Sequence, residues 1–383
     1  MKLFFLSTLF QLFVTSTFSQ FIPEDSLYLG QTPPQCASKI FNLSVTPGFF
    51  AAERMTISKD GRNIYYHELN GYSDTTKGRV KNYSYVNNKW TGPFILFEGL
   101  AAPVLSVTGD TIYVQNGKFE TFFAVKNAGR WSNPKRLLKN INYTHYFQVT
   151  NNGHFYFCSK PEKGIGGIDR CMMSIHGCDT AVSSLGLPLN TETDDMDFFV
   201  SRDESFIIII GGGAKSLLIS YHKRDGRWTN PKSLDFQIKS VHDKYFWAPF
   251  ITDDNRYLFF SKFPTLPNNR ICWIRIDNLI DSLKHTNFVP YLKNQLKDQT
   301  TSPGHPISFS IPDSTFIDDD GNKTLSYTAT LSNDQPLPAW LSFEPGKCAF
   351  SGTPAEKGEL MIKVVATDTA KDSASCTFQL LTR

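Results

Sequence analysis

Glu53, His145, Met196 and Trp247 fall at the same point of a recurring hairpin phrase, and Arg54, Tyr146 and Asp197 stand immediately after that point. Asp195, His242 and Asp243 lie close by along the chain. A carboxylate, an imidazole, a guanidinium, a phenol and an indole brought together would suit a polar or aromatic ligand, and convergent polar groups in a concave mouth are the usual place for one. Carboxylates so placed could also act as acid and base in glycoside hydrolysis, for which Glu53, Asp195, Asp197 and Asp243 form the suitable set. Other chemistries find no support. There is no Gly-x-Ser-x-Gly elbow, and His67-Glu68 is not followed by a second His because Gly71 stands there. Cys-x-x-Cys is also missing, which disfavours zinc and thioredoxin-type sites.

These residues are placed by a repeat. Trp90-Thr91-Gly92-Pro93, Trp131-Ser132-Asn133-Pro134 and Trp228-Thr229-Asn230-Pro231 follow one another at steps of 41 and 97 residues. In phase with them, polar turns at Ser58–Arg62, Val107–Asp110, Thr150–Gly153, Ser201–Glu204 and Thr252–Asn255 each separate two apolar, β-branched or aromatic runs. That is how a β-hairpin is written, and a period in the 40s with aromatic punctuation is the mark of a propeller blade. Five units are counted, and a degenerate sixth is left open. Each carries a third strand (80–86, 121–125, 168–174, 216–221, 271–276), and a fourth is expected after the Trp-x-x-Pro turn. The fifth unit lacks that phrase, while 39–43 is an orphan strand near the N-terminus, so the orphan is expected to complete the last blade and close the ring. The inner strands would then line a central channel with the polar set at its mouth.

The first 19 residues read as a secretory signal: Lys2, an apolar run from Leu3 to Val14, and a small-residue end before Gln20. With no Cys directly after it and no other long apolar segment, the chain is expected to be secreted or periplasmic, without a transmembrane segment. The charge is near balance, with 39 Lys and Arg against 36 Asp and Glu, so nucleic acid is not an expected partner. The 32 Phe and 15 Tyr suit strands packed face to face between blades. Seven Cys leave at least one unpaired; Cys171–Cys178 and Cys348–Cys376 are possible bridges, with isolated buried thiols the equal alternative. Four Asn-x-Ser/Thr sequons, at Asn42, Asn82, Asn142 and Asn322, matter only in a host that glycosylates them.

The five phrases resemble the WD40-like (PD40) repeats of the TolB-type propeller, most closely at Ser58-Lys59-Asp60-Gly61-Arg62, with a Gly-rich turn at Gly164–Arg170 and a leader-like Tyr28–Pro34. The resemblance covers 28–285; the Pro of the repeat is missing from every copy, and the second copy lacks the loop Ser. After a short helix at 277–284 and a linker at 286–297, residues 298–383 resemble a bacterial Ig-like domain of the dystroglycan-type cadherin-like class. The matching motifs are Phe316–Gly321, Leu337–Phe343, Phe350–Pro354 and Val364–Asp368. This second resemblance implies a calcium site built from Asp318, Asp320 and Asp368, joined by Asp298. The expected fold is all-β, a propeller followed by an Ig/cadherin-like sandwich. Together the two resemblances imply an exported bacterial binding or scaffold protein whose partner is a protein or glycan of the cell envelope or surface. A carbohydrate-active enzyme, glycosidase or lyase, is the alternative.

Overall fold

The computed structural model describes residues 22–71, 78–141, 143–176, 179–211, 213, 215–238, 245–263 and 270–383. Five antiparallel sheets succeed one another along the first three quarters of the chain. The first blade is β2 (Phe50–Ile57), β3 (Asn63–Leu69), β4 (Arg79–Val86) and β5 (Lys89–Glu98). The second is β6 (Ala101–Leu105), β7 (Thr111–Gln115), β8 (Thr121–Asn127) and β10 (Lys135–Arg136), with β9 (Arg130–Trp131) also on β8. The third is β11 (His145–Val149), β12 (Phe155–Ser159), β13 (Asp169–His176) and β14 (Asp179–Ser184). The fourth is β15 (Phe198–Val200), β16 (Phe206–Gly211), β17 (Ser216–Tyr221) and β18 (Lys232–Ser233).

The fifth blade has only three consecutive strands, β19 (Tyr245–Ile251), β20 (Tyr257–Phe263) and β21 (Arg270–Arg275). Its outer strand is β1 (Lys39–Ile40), with Lys39 opposite Trp273 and Ile40 opposite Cys272. The next residue, Phe41, is 2% exposed and packs edge-on against Phe259 and Trp273, each at 5.2 Å between ring centres. The ring is therefore closed by the N-terminal segment. Thr46 strengthens that closure: its amide and hydroxyl donate to the buried carboxylate of Glu68 at 2.9 and 2.8 Å, and Lys81 Nζ lies 2.9 Å from the same carboxylate.

The polar turns between first and second strands recur because a Ser or Thr hydroxyl donates to an Asp two residues on, as in Ser58 to Asp60 and Thr252 to Asp254, both at 2.6 Å. The Trp-x-x-Pro phrase is less uniform than its spelling. In blade one it lies inside β5, in blade two Trp131 belongs to β9, and in blade four Trp228 makes a lone bridge to His222. The third blade has a fourth strand, β14, without the phrase.

The remaining strands form the C-terminal module. One sheet is β23 (Gln299–Thr301), β30 (Ser373–Thr382), β29 (Gly358–Thr367) and β26 (Ser326–Leu331); the facing one is β24 (Ile307–Ser310), β28 (Ala349–Gly352) and β27 (Leu341–Glu344). A small pair joins β22 (Tyr291–Leu292), in the stretch read as linker, to β25 (Phe316–Ile317). Phe350, Phe378, Ile362, Val364 and Leu341 fill the space between the sheets, as in a sandwich. Trp340 packs against this core from its edge. Cys348 and Cys376 both carry free thiols at this core, so the bridge drawn between them does not form: Cys348 lies in the turn before β28, Cys376 on β30 of the facing sheet, and Cys348 turns toward the carbonyl of Pro345. Cys171 is buried and free, and Cys178 lies outside the described residues.

Candidate functional site

Four of the five inner strands are broken near their start by a register shift: between Ala52 and Thr56, Ala101 and Val104, His145 and Gln148, and Trp247 and Phe250. At each break one residue takes a left-handed backbone, with φ of 64° at Glu53, 48° at Ala102, 55° at Tyr146 and 54° at Ala248. Asp197, just before β15, takes the same conformation at 51°. A bulge bends the strand and re-aims the side chain it carries. Non-glycine residues in this region cost on the order of 1–3 kcal/mol each and persist where the surrounding structure enforces them.

These bulges set the true phase of the repeat. Ala52, Ala101, His145, Met196 and Trp247 share one position, and Glu53, Ala102, Tyr146, Asp197 and Ala248 share the next. The expectation that Glu53 is equivalent to His145, Met196 and Trp247 is off by one residue in the first blade. Since side chains alternate along a strand, that slip matters: it moves Glu53 into the set with Tyr146 and Asp197.

These three side chains and Arg54 form a linked network. The Tyr146 hydroxyl donates to the Glu53 carboxylate in a short hydrogen bond. Arg54, fully buried, donates through Nη1 to the Tyr146 carbonyl at 3.1 Å and through Nη2 to the Phe198 carbonyl, while its guanidinium lies 4.3 Å from the centre of the Tyr146 ring. Asp197 accepts from the Ala248 amide at 2.9 Å through one oxygen and meets His145 Nε2 at 3.2 Å through the other. On its far side His145 Nδ1 meets Gln115 Oε1 at 3.1 Å, and the same oxygen accepts from the Tyr146 amide. The network thus ties blades one, two, three, four and five together.

Its electrostatics follow from burial. The Glu53 carboxyl is pushed up to about 7, first by burial and then by the Asp197 charge, against the pull of Tyr146 and Arg54. Burial, with Asp197 and Glu53, lifts the Tyr146 phenol well above its ordinary range, so it remains a neutral donor. Arg54 is lowered to about 10 by burial and stays charged at neutral pH.

The other expected residues divide. Asp195 stands apart from the network: it pairs with Arg170 Nη1 at 3.1 Å and accepts from the amide and hydroxyl of Thr191. His242 and Asp243 lie outside the described residues. Trp247, half-buried, stacks at 16° on Tyr245 and, with Met196, lines a cavity of about 660 Å³. Thr193, Asp194, Asp197 and Asn230 supply polar groups to its wall. Thr193, Asp194 and Asn230 escaped the repeat argument because they sit in connecting turns, where alternation gives no signal. A smaller cavity of about 410 Å³ opens among the turns at the other end of the inner strands, beside Tyr28, Asp60 and Asp254. There the acidic side chains are already held by turn hydroxyls.

At the expected calcium pole, Asp318 Oδ1 accepts from the Asp320 amide at 2.8 Å, Asp320 Oδ2 from the Phe288 amide at 2.6 Å, and Asp368 from the Asp372 amide and the Asn287 side chain at 2.9 Å each. Burial, with the charges of Asp320 and Asp368, raises the Asp318 carboxyl. Asp298 is elsewhere, accepting from the Gln379 amide on β30 at 2.8 Å. Among the described residues no group of three or more His, Cys, Asp or Glu is placed to hold a metal ion. Asp368 turns both oxygens to N–H donors and Asp318 and Asp320 one each, and with Asp298 held elsewhere the four do not gather into one calcium cage.

Residues 289–382 match the family described as Putative Ig domain. No curated protein matches the chain. Among solved structures, the chain is similar to a putative alpha-galactosidase from Bacteroides fragilis, with 18% identity over 25% of this chain and a TM-score of 0.20. It spans only 18% of that protein's length. TolB from Acinetobacter baumannii shows 14% identity over 58% of this chain and 53% of its own, with a TM-score of 0.36. The periplasmic gluconolactonase of Pseudomonas aeruginosa shows 12% identity over 85% of each chain, with a TM-score of 0.38. The chain is a β-propeller followed by an Ig-like domain. No described helix is long and apolar enough to cross a membrane.

Proposed function

We propose that this is an exported, non-enzymatic binding protein whose propeller recognises a protein or glycan of the cell envelope or surface, with the Ig-like module serving for spacing or adhesion. The supporting observation is the contrast between the axial network and its neighbour. Both Asp197 oxygens and both His145 nitrogens face protein partners, whereas the 660 Å³ cavity beside them is open and walled by Trp247, Met196 and turn polar groups. Groups held by protein partners in this way act as a keystone; a concave, mostly apolar surface with a few polar groups accepts a ligand. The test is retention of the full chain on a purified cell-envelope fraction. Trp247→Ala should lower retention at least tenfold, and unchanged retention would refute the cavity as the site.

Glu53 supports a second reading. A carboxyl near pH 7 can give and take a proton at working pH, which suits a carbohydrate-active enzyme, glycosidase or lyase, acting at the channel mouth. That reading requires sugars released from envelope polysaccharide by the unaltered chain and lost in Glu53→Gln.

A further inference from the structure

The geometry points to the C-terminal module as the buttress of the propeller's cavity, with Asp319 as its positioning residue. Taking this cavity as the binding site rests on the proposal above; the buttress itself does not. Asp319 lies between the two loop aspartates once expected to bind calcium, and its side chain has no solvent exposure. Its Oδ2 accepts from the backbone amide of Asn230 at 2.6 Å, and Asn230 and Pro231 form part of the cavity wall. Lys223 Nζ donates to the Asp319 carbonyl at 2.8 Å and stands 3.5 Å from its Oδ1; Arg227 Nη1 is 3.7 Å away. The Asn230 side chain donates in turn to the Val289 carbonyl at 2.8 Å.

Within its own blade the segment is held at Thr229, whose amide donates to the Tyr221 carbonyl at 2.9 Å, and again at the short strand β18; Asn230 lies between these two anchors. β18 contributes only the pairs Leu218–Ser233 and Ile219–Lys232. The next residue along, Lys232, is itself drawn outward: its Nζ donates to the carbonyls of Leu283 and Thr286 at 2.6 and 2.8 Å and lies 3.1 Å from the centre of the Phe288 ring. Phe288 closes the chain of contacts by donating its amide to Asp320. A buried carboxylate facing an amide and two cations is a directional contact, lost when the acceptor is removed. The acidic loop therefore fixes the wall segment against the Ig-like module, and the module is more than a spacer.

Hydrogen exchange on the full chain tests this without any ligand, so a failed search for an envelope partner leaves it standing. Asp319→Ala should speed exchange across 228–234 at least tenfold while 50–57 in blade one stays protected. Lys223→Met, at a partly exposed partner, should speed the same segment about threefold and serves if the first variant fails to fold. Exchange at 228–234 equal to the unaltered chain in a folded variant would overturn the proposal.

Discussion

The Glu53 carboxyl is the network's carboxyl whose titration is moved by its surroundings. Its folded value of about 7 lies above its ordinary 4.5. The folded chain therefore binds the extra proton, and Glu53's contribution to stability is complete below pH 4.5 and is lost as pH rises through about 7. At about 1.4 kcal/mol per unit the upper bound is on the order of 3 kcal/mol. In Glu53→Gln, unfolding free energy measured by denaturant titration should lose its downward slope between pH 4.5 and 7; an unchanged slope would show that Glu53 is not the group responsible. The chemistry-bearing residues were legible in the sequence by type, but their grouping was not. Tyr146 and Asp197 read as neighbours of the ring position when they occupy it, and Asp195, paired with Arg170, lines the neighbouring cavity rather than joining the axial network.

At the scale of the element, the reason for that error is physical. The left-handed positions of the inner strands are filled by Glu, Ala, Tyr, Asp and Ala, with no glycine to mark the bulge, so a period-two reading runs straight through it. Hairpin turns were legible because Ser or Thr paired with Asp announces them. The orphan strand was legible too, since Ile40, Phe41 and Leu43 before the first unit had no partner strand of their own. Its importance can be measured: Phe41→Ala removes a buried ring packed edge-on against the stacked Phe259 and Trp273 and should lower stability by about 3–5 kcal/mol, read by chemical denaturation. A loss below about 1 kcal/mol would mean that the ring stays closed without it. The Cys348–Cys376 bridge failed for a related reason: spacing within a sandwich does not tell which sheet a strand joins.

For the whole molecule, the two modules were legible as a change in motif, but the contact between them was not, because Asp319 looks like any other residue of an acidic loop until Asn230 is seen against it. The loop's carboxylates face amides rather than one another's open side. Millimolar calcium should accordingly leave the thermal midpoint of the full chain within about 1 °C, and a rise of several degrees would restore the metal site. The account as a whole is decided by mixing the full chain with envelope polysaccharide and measuring, in one experiment, the protein retained and the sugar released. Retention that depends on Trp247, with no sugar released, is the predicted result; release that vanishes in Glu53→Gln would contradict it.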